Sequence, residues 1–108
     1  MKSLLIDDQR SAEYVEATWG LKPDMIARTF ADGINALKRE GPFDTLFLDH
    51  DLGCFDEEGD ELTGYMIICF LEEHPEYLPK NIVLVTSNPV GRRKMQIVID
   101  KLYNRIDK

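Results

Sequence analysis

Leu46-Phe47-Leu48-Asp49-His50-Asp51-Leu52-Gly53 (LFLDHDLG) begins as an apolar run and turns, without a break, into two carboxylates around an imidazole. The residues Thr45 to Leu48 predict a strand buried on both faces. Charge at the end of a buried strand is costly, so its purpose has to be found elsewhere in the chain. Two other segments repeat the pattern. Leu4-Leu5-Ile6 runs into Asp7-Asp8, and Asn81 to Val85, rich in β-branched residues, runs into Thr86-Ser87-Asn88.

Between these runs the sequence has helical spacing. Ser11 caps a predicted helix that carries Ala12, Val15 and Trp19 on one face and is stopped by Gly20 and Pro23. Met25 to Phe30 is a weaker strand. Asp32 then precedes a helix burying Ile34 and Leu37, ended by Gly41-Pro42. Phe55 to Leu62 (FDEEGDEL) reads as a solvated loop, and Thr63-Gly64 opens a helix with Ile67, Phe70 and Leu71 inward. Met95, Val98, Ile99, Leu102 and Ile106 follow one face of a last helix. The alternation β-α-β-α-β-α-β-α predicts an α/β fold: a doubly wound parallel sheet of about four strands and four helices, in three α/β/α layers. One domain is expected over residues 1–108.

In such sheets ligands bind at the carboxyl ends of the strands, where successive crossovers diverge to opposite faces. Asp7 and Asp8, Asp49 to Asp51, and Thr86-Ser87-Asn88 all fall at that edge. The charge stands at the mouth of the core because the mouth is the predicted site.

Composition narrows what the site can serve. The chain is 44% hydrophobic and 31% charged, a globular balance. Its net charge of −7 is uneven: residues 91–108 hold Arg92, Arg93, Lys94, Lys101, Arg105 and Lys108 against Asp100 and Asp107, leaving −11 for residues 1–90. An acidic domain is a poor partner for duplex DNA, whose affinity comes from cations that displace counterions. Cys54 and Cys69 have no metal-ligand spacing and read as free thiols of a reducing compartment. Only three apolar residues precede Asp7, too few for a signal-peptide core, and no apolar run approaches the ~20 residues of a membrane span. A soluble, cytoplasmic protein with no membrane partner is the expectation.

Carboxylates gathered in a partly buried notch cannot all ionise without a counter-charge. Mg²⁺ is the economical one, since it takes oxygen ligands from one or two carboxylates, waters and a substrate phosphate. The residues alone thus point to a Mg²⁺ site at Asp7, Asp8 and Asp49 that holds a phosphoryl group. A lone Asp-Asp pair is more commonly a cap; its recurrence at a second strand end favours a site.

Asp7-Asp8 after strand one, Asp49 after strand three and Thr86 after strand four resemble the receiver domain of response regulators. That resemblance implies a flavodoxin-like sheet, Asp8 and Asp49 as direct Mg²⁺ ligands, Asp7 acting through water, and Asp51 lending its backbone carbonyl. It further implies Asp49 as phosphate acceptor and Thr86 in contact with the phosphoryl group. More specifically, Asp7-Asp8-Gln9-Arg10, the LDHDLG string, and Thr86-Ser87-Asn88-Pro89-Val90-Gly91 with Met95 resemble the divergent cyclic-phosphate processing receiver domains, over nearly the whole chain.

Ordinary receivers continue into a fifth strand ending in a Lys that pairs with the phosphoryl group, then a fifth helix. Here one helix follows strand four. Arg10 and Arg92 are the candidates for the missing cation, with Arg suited to bidentate phosphate contact. Arg10 reads equally well as a surface residue, and Arg92 reads better as one. His50 has two readings: a general acid or base beside the reacting phosphate, or a buried histidine that strand alternation turns to the opposite sheet face. Ser87 is a further phosphate contact. Asn88 either donates to phosphate or fixes the turn before Pro89. His74, before Pro75, is structural, and Tyr103 marks either core packing or a partner face. The run Asp56-Glu57-Glu58 with Asp60-Glu61 repels polyanions wherever it lies near the pocket, favouring a small phosphate or a single terminal one.

The expected function is Mg²⁺-dependent binding and processing of a phosphate ester, cyclic phosphates among them, with Asp49, His50 and Thr86 nearest the chemistry. The alternatives are a stand-alone receiver phosphorylated on Asp49 and read by a protein partner, and a module that binds a phosphorylated ligand without turnover.

Overall fold

The computed structural model describes residues 2–106, with side chains to residue 104. Ile106, expected to complete the apolar stripe of the last helix, and the charged Arg105, Asp107 and Lys108 lie outside the described side chains. The elements are β1 (Ser3–Ile6), α1 (Ala12–Trp19), β2 (Met25–Ala27), α2 (Phe30–Glu40), β3 (Thr45–Leu48), β4 (Asp51–Phe55), β5 (Glu61–Thr63), α3 (Gly64–Glu73), a 3₁₀ turn (Pro75–Tyr77), β6 (Asn81–Leu84) and α4 (Pro89–Ile106).

Four strands form one parallel sheet in the order β2-β1-β3-β6, with Leu5 opposite both Ile26 and Phe47, and Leu48 opposite Leu84. This is the expected doubly wound receiver-type sheet with its four helices. The fourth strand of the sequence reading is β6. The order reverses between β1 and β3, which makes the gap between their carboxyl ends the switch point of the fold.

The handedness of the crossovers distributes the helices. The chain leaves β1 toward one side to make β2, then travels the other way to make β3 and β6. One direction puts a helix on one face and the opposite direction puts helices on the other. Alternation along the strands fits this. Leu4, Ile6, Leu46, Leu48 and Leu84 join Leu37 of α2, Ile67, Ile68 and Leu71 of α3, and Met95 and Ile99 of α4 in the large core cluster. Leu5, Phe47 and Val85 meet Val15 of α1 on the far face, with Trp19 packed beside them. The far face has one helix where the near face has three.

Helix ends follow local chemistry. The Ser11 side chain accepts the Tyr14 N–H, and Gly20 closes α1 in the left-handed conformation at φ 83°. The start of α2 is earlier than expected: Thr29, not Asp32, is the N-cap, its hydroxyl accepting the Asp32 N–H at 3.1 Å, and Phe30, expected to end the second strand, is already helical. Asp32 instead sits in the first turn, where its charge suits the helix dipole. Asn88 caps α4, its side-chain oxygen accepting the Gly91 N–H at 3.0 Å, with Pro89 at the first helical position.

One expectation is corrected. Phe55 to Leu62 is not a plain loop, because β4 and β5 pair as an antiparallel hairpin, a second small sheet beside the main one. Leu52 is buried and anchors it. A register irregularity falls between Asp51 and Cys54, where Gly53 takes φ 67°. The acidic residues that suggested a loop build the turn: the Asp56 carboxylate accepts the Glu58 and Asp60 N–H groups at 2.9 Å each.

β6 is an outer strand. Arg92, one turn into α4, folds back on it and donates through Nη2 to the Leu84 and Thr86 carbonyls, both at 3.1 Å. Tyr103, half-buried, donates its hydroxyl to the Pro79 carbonyl at 2.6 Å and so packs within the domain.

Candidate metal centre

The carboxyl ends of β1 and β3 bring Asp7, Asp8 and Asp49 together, each offering an oxygen within 4.8 Å of the others'. This is the grouping expected from the sequence, and it can hold a metal ion. All three donors are hard carboxylate oxygens, which suits a hard divalent cation better than a thiolate- or imidazole-seeking one.

The three acids are not equivalent. Asp7 is fully buried. Its Oδ1 accepts the N–H groups of Gln9 and Arg10 at 2.8 and 3.0 Å, and its Oδ2 takes the Arg10 guanidinium at 2.9 Å. Most of its lone pairs are thus committed to the turn entering α1. Asp8 is more open; the left-handed Gly53 passes so close that an added Cβ would lie 3.2 Å from Asp8 Oδ2. Asp49 is 6% exposed and accepts the His50 N–H on Oδ1 at 2.9 Å. Burial first, then the neighbouring Asp7 charge, push the Asp49 carboxyl above its ordinary pKa; Arg10, the His50 N–H and the Thr86 hydroxyl pull the other way.

Arg10 is the cation among them. Besides Asp7 it reaches Asp49 Oδ2 at 3.5 Å. Burial works against its charge, but Asp7 and Asp49 together hold its pKa above the usual guanidinium value. Facing Asp7, Asp8 and Asp49, this single guanidinium leaves negative charge for an ion to neutralise. An open pocket of about 410 Å³ lies over the cluster, lined by Asp8, Gln9, Arg10, Tyr14, Asp49, Asp51 and Ser87. Thr86, 3% exposed, is buried beside Asp49, its Oγ1 accepting the Asn88 N–H at 3.0 Å.

The remaining candidates stand elsewhere. The His50 ring is outside the pocket lining: its Nδ1 is 2.9 Å from Asp51 Oδ1, and it packs on Gly91 so tightly that a Cβ there would come 2.6 Å from the ring. β3 ends at Leu48 and His50 lies in a bend, partly buried, so the ring stands away from the pocket as one of the two sequence readings expected, without the regular strand and full burial of that reading. The Asp51 carboxylate therefore faces His50, although Asp51 borders the pocket. Arg92 is engaged by the two carbonyls near β6, and the Asn88 oxygen by the cap of α4. Neither lines the pocket.

Sequence reading missed three contributors. Arg28, directly after β2, donates from Nη1 to the Asp7 carbonyl at 3.2 Å and the Arg10 carbonyl at 2.6 Å, bracing the loop that carries the acids. The rule that strand ends face the site applied to β2 as well and would have found it. Tyr14, in the first turn of α1, lines the same pocket as Arg10, whose Cζ lies 5.9 Å from its ring centroid. Gly64 starts α3 against the site: its N–H donates to the His50 carbonyl at 2.9 Å, and a Cβ would overlap the Asp49 carbonyl.

No described helix is long and apolar enough to cross a membrane. No curated protein and no solved structure gives a significant match to the chain. A family model does: that of the cyclic-phosphate processing receiver domain aligns with residues 2–101, and by that match over nearly its whole length the chain belongs to the cyclic-phosphate processing receiver family.

Proposed function

We propose that the pocket at the β1–β3 switch point binds and processes a small phosphate ester with the help of Mg²⁺, cyclic phosphates among its substrates. The observation that carries this reading is the arrangement of Arg10, which bridges Asp7 and Asp49 at 2.9 and 3.5 Å beside three carboxylates gathered within 4.8 Å. A cation and a guanidinium side by side are what a phosphoryl group needs on two of its oxygens. When bound, the ion supplies charge neutralisation and orientation of the ester.

The chain's own groups do the rest. Asp8 and Asp49 are the direct ligands, and Asp7, already hydrogen-bonded, acts by fixing Arg10 and through water. Arg10 keeps its Nη1 contacts with Asp7 and Asp49 and offers its other guanidinium N–H groups to a phosphoryl oxygen. Thr86 orients Asp49 from below, and the Ser87 hydroxyl on the rim is a further phosphate contact. His50 and Arg92 serve as positioning residues, one beneath Asp51 and the start of α4, the other behind Thr86. The chain's net charge of −7 disfavours extended polyanions, which favours a small phosphate or a single terminal one.

Purified protein incubated with Mg²⁺ and a panel of 2′,3′- and 3′,5′-cyclic nucleotides is expected to release the opened phosphomonoester, and Asp49→Asn to lose that activity. Turnover no higher than in Asp49→Asn sinks the reading. The juxtaposition of Asp49 and Thr86 favours a second reading, in which Asp49 itself takes a phosphoryl group. Acetyl phosphate with Mg²⁺ then adds one phosphoryl mass to the wild type and none to Asp49→Asn.

A further inference from the structure

The pocket is larger than its charged floor needs. An ion and one phosphate fill about the space of four or five waters, ~150 Å³ at ~30 Å³ for each. The pocket holds about 410 Å³. The surplus is bounded by Gln9 and Tyr14, whose side chains are not among the carboxylates of the cluster.

Tyr14 is 50% exposed, a large ring left half in water at the rim of a polar pocket. It is also held in place. The Arg10 Cζ lies 5.9 Å from its centroid, and Trp19 meets it edge-on at 6.2 Å with the planes 65° apart. Trp19 is in turn packed on Phe47 of the sheet at 6.4 Å, so the ring's orientation is tied to the core. A fixed, half-exposed aromatic beside a phosphate-binding guanidinium offers a surface for another flat ring, at low entropic cost. The exposed Gln9 side chain beside it offers an amide donor and acceptor.

We infer that Tyr14 is a stacking platform and that the ester bound here carries a planar aromatic group, as a nucleoside phosphate does and a bare sugar phosphate does not. This rests on the phosphate-ester reading of the same pocket and adds to it the part of the ligand remote from phosphorus. One sugar separates base from phosphate in a nucleotide, and 5.9 Å separates the ring from the guanidinium that would hold the phosphate. The net charge of −7 agrees with a single nucleotide and disfavours a long strand.

The test is calorimetric titration of the full chain, in Mg²⁺, with adenosine 5′-monophosphate and with ribose 5-phosphate, on the wild type, Tyr14→Leu and Tyr14→Phe. The quantity read is the ratio of the two affinities within each protein. Stacking on one aromatic side chain predicts a wild-type preference for the nucleotide of roughly 5- to 150-fold. Tyr14→Leu, at a half-exposed position where folding is not threatened, brings the ratio to about one, and Tyr14→Phe keeps most of it. Ribose phosphate binding as tightly as the nucleotide in the wild type overturns the stacking role alone, and so does a preference that survives Tyr14→Leu. Binding of neither ligand overturns the phosphate reading and this inference together.

Discussion

At the amino edge of the sheet Asp44 accepts the Lys2 N–H at 3.0 Å and stands 3.2 Å from the Lys80 ammonium; one strand later, at the carboxyl edge, Asp49 faces two more aspartates and shares Arg10 with one of them, Asp7. The consequences run in opposite directions. The hydrogen bond to Lys80 holds the Asp44 carboxyl below its usual range, whereas burial and Asp7 hold Asp49 above it. By linkage, Asp44 contributes stability that is present above the unfolded carboxylate pKa and lost as pH falls through its folded one. Asp49 does the reverse: the cation-free fold prefers it protonated, so stability declines as pH rises through its raised pKa. One edge satisfies its charges within the chain. The other leaves a deficit that an ion or ligand has to meet.

The largest effect is expected where the carboxyl edge is tightest. Gly64→Ala drives a methyl group into the Asp49 carbonyl. Because backbone has to move, we expect a loss of about 3 kcal/mol or more and a melting temperature lower by more than ~10 °C. A variant melting within a few degrees of the wild type would mean that this edge is looser than the contacts imply.

Asp49→Asn sharpens the contrast itself. Without divalent cations at pH 8 the variant is expected to be at least as stable as the wild type, since it removes a buried charge while keeping the shape. Its relative advantage should vanish below the unfolded carboxylate pKa, where Asp49 is protonated in both states. Mg²⁺ at one hundred times its dissociation constant is expected to stabilise the wild type by about 2.7 kcal/mol, and the variant to lose most of that. Equal Mg²⁺ stabilisation of both proteins, read from thermal melts, would show that the deficit is not met at Asp49.

The smallest effect belongs to the amino edge. Tyr103→Phe removes the hydrogen bond to Pro79 and should cost about 1 kcal/mol. Burial raises the Tyr103 pKa to about 12. The tyrosine's contribution is therefore complete below the unfolded value near 10 and is lost as pH climbs toward about 12. Denaturant melts of the two proteins should converge across that interval. A constant gap would place the Tyr103 hydroxyl in water.

The main sheet and the acidic notch were legible because both depend on short-range signals. Leu4-Leu5-Ile6 and Leu46-Phe47-Leu48 are apolar runs that pass directly into aspartates, and the connection rules of parallel sheets put those ends together. The hairpin was not legible, because β4 and β5 bury little besides Leu52 and their turn is made of acids that bond their own backbone. The orientation of His50 was open until its ring could be seen against Gly91, a contact with a segment far away in the chain. Arg28 was within reach of the strand-end rule, had it been applied to β2; Tyr14 was not, because the reach of a long side chain is encoded in neither period nor spacing.

The fold of Arg92 across β6 bears on how copies of the chain meet. An outer strand with bare carbonyls invites another extended chain to zip onto it, and repetition of that step makes fibres. At Leu84 and Thr86 the acceptors are already taken by a charged donor. A newcomer must evict the guanidinium before it can add a single rung, so this flank of the molecule carries its own guard against polymerisation.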